Sequence, residues 1–226
     1  MASGKLLILL GEECKRQTAY TKLDKEYEIE ILLGVGSDTG DVLGLVEAAP
    51  RLPVVRTTQL KKALKKEEGA QVHAYPVFSS KTVGGKPLFL HALEAGLDTI
   101  TIPTHTEHLY QIRYRDFYEL KANQLFDRVD LLLQKVPHSM ASSKKLGRDF
   151  RIEEVKLCWG AVALAGVKSF WVIRLRVVCG SGTYMRSLSE RIGANLGTSA
   201  LALSIHRTRI GKYLPLGPFG FWYKSY

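Results

Sequence analysis

Residues 170–197, FWVIRLRVVCGSGTYMRSLSERIGANLG, combine a strand pattern and a helix pattern in one continuous stretch. Over 170–178 apolar residues alternate with two arginines, which predicts a β-strand. Gly180-Ser181-Gly182 then breaks the strand, after which Thr183 can cap a helix and Gly197 can end it. The apolar stripe of this helix consists of Met185, Leu188, Ile192 and Leu196. The stretch therefore predicts a domain that contains both strands and helices.

Other segments have the same kinds of pattern. Alternation over 26–33 predicts a half-buried strand, and the run LLILL at 6–10 predicts a buried one. A short apolar strand is predicted at 200–205, and helical spacing over 118–136 predicts a helix. Along 26–33 the apolar face consists of Tyr27, Ile29, Ile31 and Leu33, with Glu28 and Glu30 on the other face.

The segments between these elements are rich in turn-forming residues. We expect a loop at 34–41, GVGSDTGD, whose acidic side chains accept hydrogen bonds from nearby backbone amides. Thr57 or Thr58 can cap a Lys-rich helix that stops at Gly69. The segment 71–96, which contains prolines, serines and a Gly-Gly pair, is predicted as a long surface loop or a loosely paired hairpin.

Composition indicates one globular domain with a polyanionic partner. The 226 residues are 46% hydrophobic and 24% charged, which is ordinary globular composition. Lys and Arg number 32 against 22 Asp and Glu, which gives a net charge of +10 and a pI near 9.5. Such a surplus suits nucleic acid, the commonest polyanion. A basic soluble domain without such a partner is the alternative.

Membrane insertion and disulfide frameworks are not expected. No apolar run approaches the roughly 18 residues of a membrane span, and 6–10 lacks the flanking residues of a signal peptide. Cys14, Cys158 and Cys179 are odd in number and lie outside any CxxC pattern. A reducing cytoplasm is therefore the predicted location.

Few residues indicate chemistry by themselves. His105 and His108 have a spacing that can place two metal ligands on a helix, but Pro103 argues against a helix there and a third ligand is lacking, so no metal is expected. Gly180-Ser181-Gly182 could cradle a phosphate, although a tight turn is the simpler interpretation. Arg186 in the first helical turn opposes the helix dipole. It is either a surface residue or aimed at a carboxylate or phosphate.

Four stretches taken together resemble the TruB-type RNA pseudouridine synthases. The segment LGEECK at 10–15 resembles the family's LGExxK, and 25–44 is similar to its KxYxxxxxLG…TDTxDxxG. The segment 71–89 resembles the family's substrate-side loop. GTYMRSL at 182–188, followed by RTRIG at 207–211, resembles GTYIRSL…RTxxG. Each match is weak alone, but the four occur in the family's order and cover about half of the chain.

The resemblance implies an α+β fold, in which helices flank a mixed, largely antiparallel sheet that carries an RNA-binding cleft. It implies isomerisation of uridine to pseudouridine in RNA, and the substrate to which it points is the T-loop uridine of tRNA. The implied reaction needs no metal or organic cofactor. The implied partner is the tRNA T-arm stem-loop, and we expect a cytoplasmic monomer.

By resemblance, Tyr27 stacks on the flipped base and handles the proton lost from its carbon, and Arg186 holds the nucleophilic aspartate. Tyr184 and Ile205 would line the uracil pocket, and the phosphate-binding residues would be Lys81, Lys86, Arg207, Arg209 and Lys212.

The chain also departs from the family pattern. Lys81 lies one position before the family's loop lysine, and Arg191 replaces a usual acid, which would make that helix face more basic. Met1 occupies the position directly after the family's Asp-Pro, so the nucleophilic aspartate is expected upstream of Met1. We therefore expect 1–226 to be a single, N-terminally truncated catalytic-type domain without a C-terminal PUA-type domain, and to be inactive as given.

Two other functions stay open. The first alternative is a non-catalytic module that binds or folds structured RNA. The second is guide-dependent modification of ribosomal RNA, which the expected lack of a C-terminal domain disfavours.

Overall fold

The computed structural model describes residues 2–50, 55–136, 151–217 and 219–226. Its strands are β1 (Ala2–Gly4), β2 (Asp24–Leu33), β3 (Val35–Ser37), β4 (Val46–Ala48), β5 (Gly69–Ala74), β6 (Thr82–Val83), β7 (Lys86–Pro87), β8 (Thr104–Lys121), β9 (Ser169–Cys179), β10 (Ala200–Leu216) and β11 (Phe219–Ser225). Its α-helices are α1 (Gln17–Thr21), α2 (Thr57–Glu67), α3 (Leu88–Leu93), α4 (Ala122–Leu133), α5 (Ile152–Leu164) and α6 (Met185–Asn195). Two 3-10 turns span Gly11–Arg16 and Leu97–Thr99.

One large sheet organises the molecule. Its strand order is β1-β10-β2-β9-β8-β5, and β11 also pairs with β10. Strand β1 runs parallel to β10, whereas the other pairings within this sheet are antiparallel. The predicted α+β architecture with a mixed, largely antiparallel sheet is confirmed.

Helices cover both faces of this sheet. On one face α2 and α6 pack against side chains of β2 and β9 that include Ile29, Ile31 and Leu175. On the other face α4 and α5 pack against Phe170 and Val172. Strand β9 is buried on both sides because its alternate residues enter different cores. None of the helices in the described part of the chain is both long and apolar enough to cross a membrane.

The strand-to-helix stretch folds as predicted, except at its cap. Strand β9 leads into α6, and the residue at the helix N-cap is Tyr184. The Thr183 hydroxyl instead donates a hydrogen bond to the Gly180 carbonyl at 3.2 Å, so it tightens the turn. Gly197 has φ +75°, a left-handed conformation that suits glycine and ends the helix as expected.

The prediction of a buried strand at 6–10 is wrong. The segment has no regular structure, and Leu6, Ile8 and Leu10 are exposed. Strand β1 pairs with Ile205–Arg207 of β10, but from Gly211 onward the same edge of β10 is occupied by β11. An apolar run becomes a buried strand only where a neighbouring strand edge is free.

The strand predicted as half-buried at 26–33 is buried on both faces from Ile29 onward, whereas Tyr27 and Glu28 are partly exposed. Glu30 lies beneath α4 and accepts hydrogen bonds from the Tyr118 hydroxyl at 2.8 Å, from Arg174 at 3.0 Å and from Ser204 at 2.9 Å. It also forms an ion pair with Arg128. Burial alone would raise the pKa of Glu30, but these hydrogen bonds outweigh it and lower the pKa to about 2.

Other boundaries also differ from the predictions. The helix after residue 56 begins at Thr57 with Arg56 at its N-cap, so the prediction of a threonine cap is wrong. The Gln59 side chain accepts a hydrogen bond from the Arg56 amide at 3.1 Å. The segment 71–96 contains the predicted hairpin as β6 and β7, but also most of β5 and all of α3. The predicted helix from 118 begins only at Ala122 because β8 continues to Lys121, and the strand predicted at 200–205 extends through β10.

Acid should remove the stabilisation that the Glu30 cluster provides. The folded pKa of about 2 lies below the ordinary value of 4.5. The contribution is therefore complete above pH 4.5 and is lost as the pH falls from 4.5 towards 2. We expect Glu30→Gln to flatten the pH dependence of the free energy of unfolding in this range by up to about 3 kcal/mol.

Urea unfolding of both proteins from pH 7 to pH 2 measures this difference. Glu47→Gln, which changes an exposed carboxyl, serves as the control and should follow the wild-type curve. Identical curves for Glu30→Gln and wild type would refute a stabilising role of the Glu30 charge.

Candidate active site

A pocket of about 380 Å³ lies where β1, β2, β10 and the N-terminus of α6 meet. Sheet pairing explains this convergence, because Tyr27 on β2 lies directly opposite Arg207 on β10 and Val177 on β9. Strand β9 is followed by the turn that leads into α6. The lining residues are Ala2, Ser3, Gly4, Leu6, Tyr27, Thr183, Tyr184, Met185, Arg186, Ile205 and Arg207.

Tyr27 lies half-buried in the pocket wall. Burial raises the pKa of its hydroxyl, and the nearby Arg207 guanidinium offsets only part of the rise. The hydroxyl is therefore uncharged at neutral pH. Arg207 is itself oriented by a hydrogen bond from its Nε to the Lys5 carbonyl at 2.7 Å. Ile205, also predicted for the pocket, is largely buried in its wall.

Tyr184 presents its ring at the start of α6. Its ring stands edge-on to Tyr75, with the centroids 6.2 Å apart, and to His105 at 5.9 Å. Tyr75 and His105 are stacked on each other at 4.0 Å. Burial raises the pKa of the Tyr184 hydroxyl, which is thus also uncharged at neutral pH. These contacts fix one aromatic wall of the pocket.

Arg186 connects the helix to two loops. Its Nη1 donates to the Thr39 carbonyl at 2.9 Å, and its Nη2 donates to the Phe78 carbonyl at 2.8 Å. The carboxylate of Asp41 lies 3.5 Å from Nη1. Arg186 thus binds two backbone carbonyls and lies beside the carboxylate of Asp41, which belongs to the chain itself. A role towards a further carboxylate or a phosphate stays a prediction. A simple surface role is wrong, since only 22% of its side chain is exposed.

Sequence reasoning did not single out Asp41, although the signal was present in the acidic loop 34–41. The Asp41 carboxylate accepts hydrogen bonds from the Leu43 amide at 2.9 Å and the Thr39 hydroxyl at 3.0 Å. Asp38 likewise accepts from the Leu45 amide at 2.7 Å. The prediction that acidic side chains bind local amides is confirmed.

The predicted phosphate-binding residues are distributed unevenly. Arg207 lies in the pocket, and the Lys81 ammonium stands 5.0 Å from the ring centroid of Tyr75. Lys86 is engaged by Glu94, and Arg209 lies 3.7 Å from the Glu26 carboxylate. The remaining lysine, Lys212, is exposed on β10.

The two histidines lie on strand β8 rather than on a helix. Nε2 of His105 is 3.1 Å from the Gly182 carbonyl, and the His108 ring packs against Tyr110. Within the described residues no group of three or more His, Cys, Asp or Glu side chains is arranged to hold a metal ion. All three cysteines are free thiols, and burial raises the pKa of Cys179 to about 12.

The expectation that Arg191 makes its helix face more basic is wrong. Its Nε is 2.7 Å from the Glu67 carboxylate, and its Nη2 is 3.1 Å from the Glu107 carboxylate. Both glutamates are almost completely buried. Local sequence gave no sign of this cluster because the three residues are distant in the chain.

Comparisons with known proteins bear on the family of this chain. The family model described as TruB family pseudouridylate synthase (N terminal domain) matches residues 1–129. A tRNA pseudouridine synthase B of Francisella tularensis subsp. novicida is 26% identical over 214 residues, covering 94% of this chain and 53% of that protein. Its counterpart from Deinococcus radiodurans is 26% identical over 213 residues, with 94% and 62% covered. The chain thus spans 53–62% of the length of these two relatives.

The fold is also similar to a chain in the crystal structure of a Cbf5–Nop10–Gar1 complex. The TM-score is 0.49 at 17% identity, over 93% of this chain and 37% of that chain. The family model alone covers more than half of the 226 residues. This chain therefore belongs to the TruB family of pseudouridylate synthases.

Proposed function

We propose that this chain forms the base-binding part of an enzyme that isomerises uridine to pseudouridine in RNA. The observation that carries the proposal is the single pocket that unites Tyr27, Tyr184, Arg186, Ile205 and Arg207. Its volume of about 380 Å³ lies in the range of about 300–1,000 Å³ that small-molecule sites occupy. Two aromatic residues and one aliphatic residue suit an uncharged pyrimidine base, and two arginines suit anionic groups beside it.

The base must leave its stack to reach this pocket. Enzymes that act on a base within structured RNA flip the nucleotide out and hold it by stacking and by edge contacts. Tyr27 would stack on the flipped uracil and handle the proton lost from its carbon, while Tyr184 and Ile205 would enclose the ring. No metal or organic cofactor has a role in this proposal.

Arg186 would hold the nucleophilic carboxylate next to the base. In the family motif Asp-Pro directly precedes the segment that resembles Met1–Lys5, and Ala2–Gly4 line the pocket. An aspartate at that point of the motif would thus reach the pocket from the edge where Arg186 lies. Among residues 2–23 none is an aspartate, so we propose that these 226 residues alone are inactive.

The RNA proposed is the T-arm stem-loop of tRNA, bound by a monomer in the cytoplasm. The net charge of +10 favours a polyanion. Arg207 lines the pocket, and Lys81 lies over the ring of Tyr75, which packs edge-on against Tyr184. Both would contact phosphates, which position RNA without reading its sequence. Before binding a phosphate, Lys86 would have to break its ion pair with Glu94, and Arg209 its ion pair with Glu26.

A second candidate function is a non-catalytic module that binds or folds structured RNA. It is favoured by the net charge of +10, which suits binding of a polyanion whether or not turnover follows. Both functions require RNA binding. Only the isomerase function requires that a chain extended to include the aspartate produces pseudouridine.

RNA binding should be strongly salt-dependent. We expect the 226-residue chain to bind a tRNA T-arm hairpin with a log–log salt slope of several negative units, because each neutralised phosphate of a duplex contributes about −0.9. Lys81→Gln should reduce the size of the slope by about one unit. Fluorescence anisotropy at several salt concentrations measures both values.

The matched control is Lys156→Gln, which changes a lysine on α5 that is paired with Glu153. This variant should keep the wild-type slope. Binding that does not respond to salt, or no binding to the hairpin, would contradict RNA as the partner.

Arg186 should be needed for turnover rather than for RNA affinity. In a chain preceded by the family's Leu-Asp-Pro segment, Arg186→Ala should lower turnover by about 100-fold or more, since an unpaired buried carboxylate has a raised pKa and loses its position. Affinity for the hairpin should change by no more than about twofold. Chemical mapping of pseudouridine in the hairpin measures turnover.

Arg186→Lys keeps the charge but loses the two-pronged contact with Thr39 and Phe78, so it should recover little activity. The 226-residue chain without the added segment should yield no pseudouridine. If the extended chain is also inactive while it still binds the hairpin, the non-catalytic function replaces the first.

The Tyr27 hydroxyl and ring should make separable contributions. In the extended chain, Tyr27→Phe should bind and flip the base but turn over poorly. Tyr27→Ala should additionally weaken binding of the flipped base by about 1–3 kcal/mol through lost stacking. The control is Tyr110→Phe, whose hydroxyl donates to Asp24 outside the pocket. Near-normal turnover by Tyr27→Phe would show that the hydroxyl is dispensable.

A further inference from the structure

The turn that carries Tyr184 rests on a buried carboxylate of strand β8. One oxygen of Glu107, whose side chain is 2% exposed, accepts from the Tyr184 amide at 3.4 Å. The same oxygen lies 3.2 Å from Nε2 of His105. A carboxylate at this place also faces the positive end of the α6 dipole. Glu107 thus binds the backbone from which a pocket residue projects.

His105 extends this contact to the aromatic wall. Its Nε2 lies between the Glu107 carboxylate and the Gly182 carbonyl, at 3.2 Å and 3.1 Å. Because a carbonyl oxygen can only accept, this nitrogen carries a proton and donates it to Gly182, with the Glu107 carboxylate beside it. With the imidazole fixed at Nε2, its ring stacks on Tyr75 at 4.0 Å and contacts Tyr184 edge-on. The Glu107 carboxylate and the Gly182 carbonyl thus both contact the imidazole that packs on the two tyrosine rings.

The other oxygen of Glu107 connects to the middle of α6. It lies 3.1 Å from Nη2 of Arg191, whose Nε is bound at 2.7 Å by Glu67 at the end of α2. Glu67 also accepts from the Asn195 side chain at 2.7 Å, near the C-terminal end of α6. The helix that contributes Arg186 to the pocket is therefore fixed along its length, with Glu107 at the pocket end and Glu67 at the far end.

We propose that Glu107 is a positioning residue of the base pocket: through the Tyr184 amide, His105 and Arg191 it sets the orientation of the Tyr184 ring and of the first turn of α6. This inference rests on the proposed function. Glu107 does not line the pocket, so it acts through these groups and not on the base. The acid that the family usually has at this position would repel Glu107, whereas Arg191 forms an ion pair with it.

Glu67 provides a matched control for Glu107. Both are almost completely buried glutamates bound to the same guanidinium, but Glu67 contacts neither the 182–184 turn nor His105. Replacing either glutamate by Gln leaves Arg191 paired with one carboxylate, so neither variant buries an unpaired charge. Both should therefore fold, with similar losses of stability.

The test uses the 226-residue chain and a T-arm hairpin that carries a fluorescent uridine analogue at the flipped position. Anisotropy gives the affinity for the whole hairpin, and the analogue's emission at saturating protein reports contact of the flipped base with the tyrosines. For Glu107→Gln we expect the emission change to fall about fivefold, with affinity altered by less than about twofold. For Glu67→Gln we expect both readouts to stay within about twofold of wild type.

Each outcome bears on a different statement. If wild type does not bind the hairpin, the proposed function fails. If wild type binds and Glu107→Gln and Glu67→Gln give the same emission, Glu107 is merely structural and the inference is overturned. Should Glu107→Gln not fold, Glu107→Asp serves instead, since it keeps the charge but withdraws the carboxylate from the Tyr184 amide. A wild-type emission change in a folded Glu107→Asp would overturn the inference as well.

Discussion

The antiparallel pairing of β2 with β9 and β10 is the constraint on which the rest of the molecule depends. Strand β2 lies in the middle of the large sheet, and its register places Tyr27 opposite Arg207 on one side and Val177 on the other. Because β9 continues directly into the turn before α6, the same register also fixes where Tyr184 and Arg186 lie. The pocket is thus formed by β1, β2 and β10 together with the turn at the start of α6, and the segment after β1 is bound to it through Arg207.

Charges buried against this sheet are paired on both of its faces. Glu30 of β2 receives hydrogen bonds from Arg128 and Arg174 on the side of α4. On the opposite side, Arg191 bridges two buried glutamates beneath α6. Neutralising one partner of such a pair leaves the other uncompensated in a low-dielectric environment, which is costly. Ion pairing therefore specifies how α4 and α6 sit on the sheet, in addition to their apolar contacts.

Arg186 joins the pocket to the loops above it. Its two carbonyl contacts reach the loop that follows β3 and the loop that follows β5, so both loops are tied to the first turn of α6. A cation at a helix N-terminus is unfavourable by itself. Here the carbonyls and the Asp41 carboxylate stabilise it. An arginine held in this way keeps its geometry before any substrate group arrives, which is what a positioned active-site charge requires.

The sequence by itself determined the strand at 170–178, the helix that follows it and the acidic loop at 34–41, because period and turn residues act within a few positions. Together with the family resemblance it also predicted site roles for Tyr27, Tyr184, Arg186, Ile205 and Arg207, and all five line one pocket. It did not determine that Leu6, Ile8 and Leu10 would be exposed, since that depends on β11 occupying the edge of β10. Only the tertiary structure could decide that Glu30 is buried and that Arg191 is neutralised by Glu67 and Glu107. The partners of these charges lie far away in the chain, and a buried ion pair leaves no periodic signal in the residues around it.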